Sequence, residues 1–273
     1  MSSACRPITR QEIEAACGDI ALPRPPAGMH DVGDGDFDAI GREFLWHLVN
    51  HAGLEPGHRV LDIGCGVGRL ALPLTAFLDP ARGSYVGFDV AAEAIWWCQG
   101  TIAGQHPNFS FRTVDLLHAL YNPDGKLDPQ SVEFPVEAGS IDLAAAISVF
   151  THLPPEVMAH YLRQVQRSLA PGGRFFCTAF FLDDAVRQRL RAGKCRIPFR
   201  ADEPALWQEG HAEYPGAAIA IDLEWFLAMG RREGLELARP VIHGHWPDDT
   251  GGEGFQDMCV LKPSRSDLPG DER

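Results

Sequence analysis

The sequence lacks any apolar run of the roughly 18–20 residues that a bilayer-spanning helix requires, so no membrane insertion is expected. The opening Met1-Ser2-Ser3-Ala4-Cys5-Arg6-Pro7 lacks the apolar core of a signal peptide. Seven cysteines are scattered with no C-x-x-C spacing, which supports neither a disulfide framework nor a zinc knuckle and makes the reducing cytoplasm the expected location. Basic charge is scarce as well: 24 lysines and arginines stand against 37 acids, for a formal net charge of −13 and a pI near 5.2. A chain with so little phosphate-neutralising charge is a poor nucleic-acid binder, so the expected partner is a small molecule rather than DNA or tRNA. The one local basic stretch, Arg187-Gln188-Arg189-Leu190-Arg191 through Lys194 and Arg196 to Arg200, reads as a solvated helix face and loop before it reads as an anion site. Calcium is not expected either: the Gly- and Asp-rich stretch from Met29 to Asp38 lacks the glutamate that the twelfth position of a calcium loop supplies. No internal repeat is visible.

What is present is a 45% apolar chain of 273 residues, enough for one large domain with an insert. Its organising stretch is Val60-Leu61-Asp62-Ile63-Gly64-Cys65-Gly66-Val67-Gly68-Arg69. Val60, Leu61 and Ile63 form a β-favouring run typical of a strand covered on both faces. Three glycines follow at alternate positions, then helical spacing through Leu70, Leu74, Phe77 and Leu78. A strand, a glycine turn and a helix start let backbone N–H groups approach a ligand closely. The spacing is G-x-G-x-G rather than the G-x-G-x-x-G of dinucleotide binders. Asp62, two residues before the first glycine, would repel phosphates and suit a ligand that carries an ammonium group.

A second strand, Ser84 to Val90, ends in Asp89, 21 residues beyond Gly68. Doubly wound folds place a carboxylate there to accept from both hydroxyls of a ribose. The strand Phe109 to Val114 ends in Asp115-Leu116, and the strand Ser140 to Phe150 runs into Ser148-Val149-Phe150-Thr151-His152-Leu153. Between them lies an irregular excursion, residues 121–139, that opens with Tyr121-Asn122-Pro123-Asp124-Gly125.

The decapeptide from Val60 to Arg69 resembles motif I of the class I S-adenosylmethionine-dependent methyltransferases, and the stretch to Asp89-Val90 resembles motif II. The Ser-Val-Phe-Thr-His-Leu run and the Tyr-Asn-Pro-x-Gly loop resemble the signatures of a bacterial small-molecule subgroup. The resemblance covers roughly residues 37–181 and, more weakly, the final hairpin. It implies a Rossmann-like, doubly wound α/β fold: a seven-stranded, mostly parallel sheet with an antiparallel last strand, in three α/β/α layers. It implies S-adenosyl-L-methionine as cofactor, leaving as S-adenosyl-L-homocysteine. Its binding set would be Asp62, Gly64, Cys65, Gly66, Gly68, Asp89, Val90, Asp115, Leu116, Ser148 and Arg42. Within it Val90 packs on the adenine, Asp115 receives the adenine amino group, the Leu116 N–H reaches a ring nitrogen, and Arg42 meets the methionyl carboxylate.

The remaining organisation is an N-terminal arm (1–36) with a helix near Thr9–Cys17, and a catalytic domain (37–263) entered by a helix from about Phe37 to Ala52. A substrate cap (183–220) is inserted after the strand Phe175–Phe181. A helix over Ile221–Met229 capped by Asp222, strands near Leu235–His243 and Phe255–Leu261, and a disordered tail (264–273) complete the chain. Five histidines fall in segments that could face the pocket: His30, His152, His211, His243 and His245. They lack H-x-x-x-H spacing, so no metal is expected. His152, just past the fourth strand, is the candidate catalytic base or substrate-orienting residue. The expected reaction is in-line methyl transfer to an oxygen of a sugar, lipid or secondary metabolite, and a homodimer is a possible assembly. An NAD-dependent oxidoreductase and a non-catalytic nucleoside-binding protein are the alternatives.

Overall fold

A computed structural model of the chain describes residues 7–18, 20–26, 28–29, 35–118, 121–195, 197–202, 205–211, 213–214 and 216–264. His30, residues 31–34 of the Gly- and Asp-rich loop, Arg196 and the tail from residue 265 lie outside them. Among the described residues no helix is long and apolar enough to cross a membrane, and six cysteines are free thiols.

Two units make up the chain, residues 1–114 and 115–273. In the first, α1 (Arg10–Cys17) begins with a capping box in which the Thr9 hydroxyl accepts from the Glu12 N–H and the Glu12 carboxylate accepts from the Thr9 N–H. It packs on α2 (Phe37–Ala52), where Arg10 pairs with Glu43 and lies over the Trp46 ring. α2 ends at Gly53 in the left-handed conformation. β1 (Arg59–Ile63) and the helix α3 (Ala71–Phe77) flank the glycine turn, and β2 (Ser84–Asp89) and β3 (Phe109–Thr113) extend the sheet. The order is β3-β2-β1, all parallel, and β1 is buried throughout after Arg59. α4 (Ala92–Cys98) runs into a π-helical turn, Gln99–Ala103, and both pack on the β2–β3 side of this unit.

In the second unit β4 (Ile141–Ala146) is parallel to β5 (Leu169–Leu182), with α5 (Pro155–Ser168) between them in sequence. β5 is twice the expected length and changes partners along its course. Phe175–Ala179 pair antiparallel with β9 (Asp257–Pro263), and Phe180–Leu182 pair parallel with β7 (Ile219–Asp222). The handover falls at Asp257: its carboxylate accepts the Phe181 N–H at 2.8 Å where the β9 ladder stops. β6 (Trp207–Glu209) pairs with β7, and β8 (Leu235–Leu237) pairs with β9, both antiparallel. The cap region has a core of its own, built from Phe180, Val186, Leu190, Phe199, Ala218 and Trp246, with the helix α6 (Asp184–Leu190) capped by Asp183.

The class is the expected Rossmann-like α/β, mostly parallel with β9 antiparallel. The strand count is nine among the described residues, because β6 and β7 of the cap join the end of β5. Other boundaries also shift for physical reasons. The helix α7 (Leu223–Arg232) has Asp222 as N-cap as expected, but Ile221 belongs to β7, where the run Ile219–Ile221 finds β5 as a partner. β8 stops at Leu237, shortly before Pro240, which has no N–H for a ladder. β4 ends at Ala146, and the chain then turns sharply at Ser148, whose φ is +58°.

Candidate functional site

In the first unit the parallel register places Asp62 of β1 opposite Gly87 of β2. Gly87 is needed there: a Cβ would meet the Tyr85 hydroxyl and the Cys65 sulfur at 2.9 Å. Through that gap the Tyr85 hydroxyl donates to Asp62 Oδ2 at 2.6 Å. Asp62 is only 2% exposed. Burial raises its carboxyl to about 7, helped by the nearby Asp89 charge and opposed by the Tyr85 bond and by Arg69.

The turn that follows is tied to the end of β2. Gly64 and Cys65 donate their N–H groups to the Phe88 carbonyl at 2.9 and 3.1 Å. The Gly66 N–H donates to Asp89 Oδ2 at 2.8 Å, and the Ala91 N–H to Asp89 Oδ1 at 2.9 Å. Burial raises the Asp89 carboxyl, against these two bonds and a third from the Val90 N–H. Gly66 has φ +51°, and a Cβ on it would meet no atom within 4 Å, so the space over the turn is open. Gly68 N–H closes the turn onto the Cys65 carbonyl at 2.9 Å. Cys65 itself is buried, and Val90 is half-buried just beyond Asp89. Arg42 is half-buried on α2, near enough to Cys17 for its charge to act on that thiol. The first unit therefore brings Asp62, Gly64, Cys65, Gly66, Gly68, Asp89 and Val90 together around one turn. A carboxylate retains acceptor capacity beyond one bond per oxygen, so Asp89 can still receive a diol.

The second unit carries the other candidates. Asp115 is exposed, with Asn122 Nδ2 donating to its Oδ1 at 3.1 Å and also to the Leu116 carbonyl at 2.9 Å. Leu116 is buried. His118 and Asn122 exchange backbone hydrogen bonds at 3.0 and 2.9 Å, so the Tyr-Asn-Pro-x-Gly run folds back as a flap on residues 115–118. Gly125 is required at its base, because a Cβ would overlap the Leu116 carbonyl and the Leu117 nitrogen. Ser148 donates its N–H to Thr178 Oγ1 at 2.8 Å and its hydroxyl to Gln256 Oε1 at 3.2 Å; the Thr178 hydroxyl bonds the same Gln256 oxygen.

His152 lies four residues past Ser148. Its Nδ1 is 2.8 Å from the Gly216 carbonyl, which can only accept, so Nδ1 carries the proton and Nε2 presents a lone pair when the ring is neutral. Burial lowers the His152 pKa, against the Gly216 bond. The Tyr121 ring meets it edge-on at 5.6 Å between centroids. Of the other candidate histidines, His211 is exposed, and His245 packs edge-on to Phe255. His243 lies between Asp257 (3.3 Å) and Asp183 (3.2 Å), and its pKa is raised by the bond to Asp257. Sequence reasoning missed His118 and Tyr121. The only signal for His118 was its place three residues after Asp115.

A methyltransferase-domain family model matches residues 37–214. The tRNA N(3)-methylcytidine methyltransferase Mettl2 of Drosophila melanogaster is 28% identical over 147 residues, 54% of this chain and 42% of that protein. The methyltransferase GfsG of Streptomyces halstedii is 28% identical over 137 residues, 49% of this chain and 42% of that protein. The match thus spans less than half the length of either relative. The solved CcbJ methyltransferase of Streptomyces caelestis covers 87% of this chain and 96% of its own, with a TM-score of 0.55 at 16% identity, a likeness of fold. These findings overturn the expectation that nucleic acid is not a partner, since the Drosophila relative is named for a tRNA cytidine. That expectation rested on a net charge summed over the chain, which does not describe the surface around one site.

Proposed function

The chain belongs to the methyltransferase-domain family and is a class I S-adenosylmethionine-dependent methyltransferase; from that premise we propose that it methylates a hydroxyl of a small-molecule acceptor, with His152 as the base. The first unit's residues fit the cofactor: the open space over Gly66 admits a bulky group, and Asp89 has acceptor capacity left for a ribose diol. Asp62 balances the cofactor's ammonium group, Val90 packs on the adenine, and Arg42 meets the carboxylate. For Asp115, Leu116 and Ser148 of the second unit, a part in holding the cofactor rests on the family resemblance. Bound there, the cofactor supplies a methyl group activated by its sulfonium.

What carries the reading is the His152–Gly216 hydrogen bond of 2.8 Å. It holds the ring in the tautomer with a free Nε2, and burial keeps that nitrogen unprotonated near neutral pH. His152 would take the acceptor hydroxyl's proton on Nε2, which readies that oxygen for the methyl group the bound cofactor would supply. Substituting His152 by Ala should lower turnover on an alcohol acceptor by about 10²–10⁴-fold, the usual worth of a general base. S-adenosylhomocysteine affinity, read by calorimetry, should hold. Unchanged turnover would remove His152 from the chemistry.

A second reading is favoured by the name of the Drosophila relative: the acceptor is a ring nitrogen of a tRNA cytidine. Such a nitrogen attacks with its own lone pair and requires no base. Transfer of labelled methyl to tRNA, insensitive to His152→Ala, would select this reading over the first.

A further inference from the structure

We propose that His118 is a positioning residue for His152, holding the His152 main chain and the Tyr121 ring in the arrangement that leaves Nε2 of His152 free. The inference rests on the reading of His152 as the base. Its support is the hydrogen bonding of one ring. The Tyr121 N–H donates to His118 Nδ1 at 3.3 Å, so that nitrogen is bare. The proton is therefore on Nε2, and the His118 ring hydrogen-bonds the His152 backbone. A neutral imidazole offers one acceptor and one donor, and here each is used, on two segments far apart in sequence. One ring thus joins the base of the flap to the loop after β4.

The two histidines hold opposite tautomers: Nδ1–H in His152, Nε2–H in His118. Both rings are kept neutral by burial, and the His152 charge would further oppose protonation of His118. Around His152 lie the Gly216 carbonyl, the Tyr121 ring and the His118 ring on its backbone; burial lowers its pKa and the Gly216 bond opposes that. Tyr121 also packs on His118, with ring centroids 4.9 Å apart. Loss of the His118 bonds would free the flap, wet the His152 ring and let it exchange tautomers.

The test is long-range proton–nitrogen NMR of the full chain labelled at histidine nitrogens, with His152→Asn and His118→Gln identifying the signals. In the wild type His118 should show the Nε2–H form and His152 the Nδ1–H form; the reverse pair overturns the proposal. His118→Phe keeps a ring of similar size but neither bond. It should convert His152 to a tautomer mixture and move its titration midpoint up, toward that of a free histidine. His118→Gln offers an acceptor and a donor again and should restore most of the wild-type behaviour. A His152 signal unchanged in His118→Phe, with an intact melting transition, also overturns it. Should His118→Phe not fold, the wild-type tautomers and the His118→Gln spectrum still decide. The readout does not involve turnover, so a His152 that proves dispensable for catalysis would leave this result standing.

Discussion

The Tyr85 hydroxyl and the Asp62 carboxylate share a 2.6 Å hydrogen bond between neighbouring parallel strands, and this pair sets the charge at the glycine turn. With its carboxyl raised by burial to about 7, Asp62 is half protonated near neutrality. A carboxylate attracts an ammonium group and a carboxylic acid does not. Affinity for S-adenosylhomocysteine should therefore rise with pH through about 7, and Asp62→Asn should flatten that rise. Calorimetry between pH 5.5 and 8.5 reads both.

The same group predicts a stability profile of the ligand-free protein. Its folded pKa, about 7, lies above the unfolded value near 3.9, so the folded state holds the extra proton between them. Its contribution to stability is full below about pH 4 and is lost as pH rises through about 7. Asp62→Asn should then gain relative to the wild type as pH increases over that range. Denaturant midpoints at pH 5 and pH 8 check the sign; a gain that shrinks with pH would contradict it.

Tyr85→Phe isolates the hydrogen bond from the burial. Tyr85 is fully buried and stacks near Phe109 at 5.1 Å, so phenylalanine keeps the packing and removes only the donor. The Tyr85 bond lowers the Asp62 pKa, so its loss should move the pH midpoint for ligand binding above the wild-type value. At pH 7 affinity should fall by about tenfold, in line with about 1.5 kcal/mol for a hydrogen bond to a charged group.

Asp89→Ala removes the partner of the Gly66 and Ala91 N–H groups as well as the proposed diol acceptor. Ligand affinity should weaken by about 1.5–3 kcal/mol, the worth of hydrogen bonds to a charged group. Asp89→Asn retains an acceptor oxygen and should lose less. Equal losses in the two variants would mean that the turn geometry, rather than the carboxylate, is what the ligand requires.

How much of this was legible in the sequence depends on distance along the chain. The strand and turn from Val60 to Gly68 are local, written in an apolar run and alternating glycines, and Asp89 followed from its spacing to Gly68. The partner of Asp62 was not legible, because Tyr85 reaches it through a gap that exists only once β1 and β2 are in register. β7 was hidden for the same reason: Ile219–Ile221 is strand because the far end of β5 is there to pair with it. Nothing local marks His118, because its link to His152, 34 residues on, exists only in the folded chain. The charge argument failed differently, by treating a property of the whole chain as a property of its site.

Gly125 tests whether the flap is a working part or a passive loop. Its Cβ position is filled by the Leu116 carbonyl and the Leu117 nitrogen, backbone atoms that cannot rotate away. Gly125→Ala should thus push the flap off residues 115–118 and strain the bonds from Asn122 to Asp115 and Leu116. Overpacking of this kind costs about 1–3 kcal/mol, which for a chain this size lowers Tm by about 2–10 °C. Gly100→Ala is the matched control: it lies in the π-helical turn with nothing within 4 Å of its Cβ position, and it should melt close to the wild type. If the flap positions His152, Gly125→Ala must also disturb the His152 tautomer at temperatures well below its melting transition. A variant that melts early yet keeps the His152 signal intact would confine the flap to a structural role.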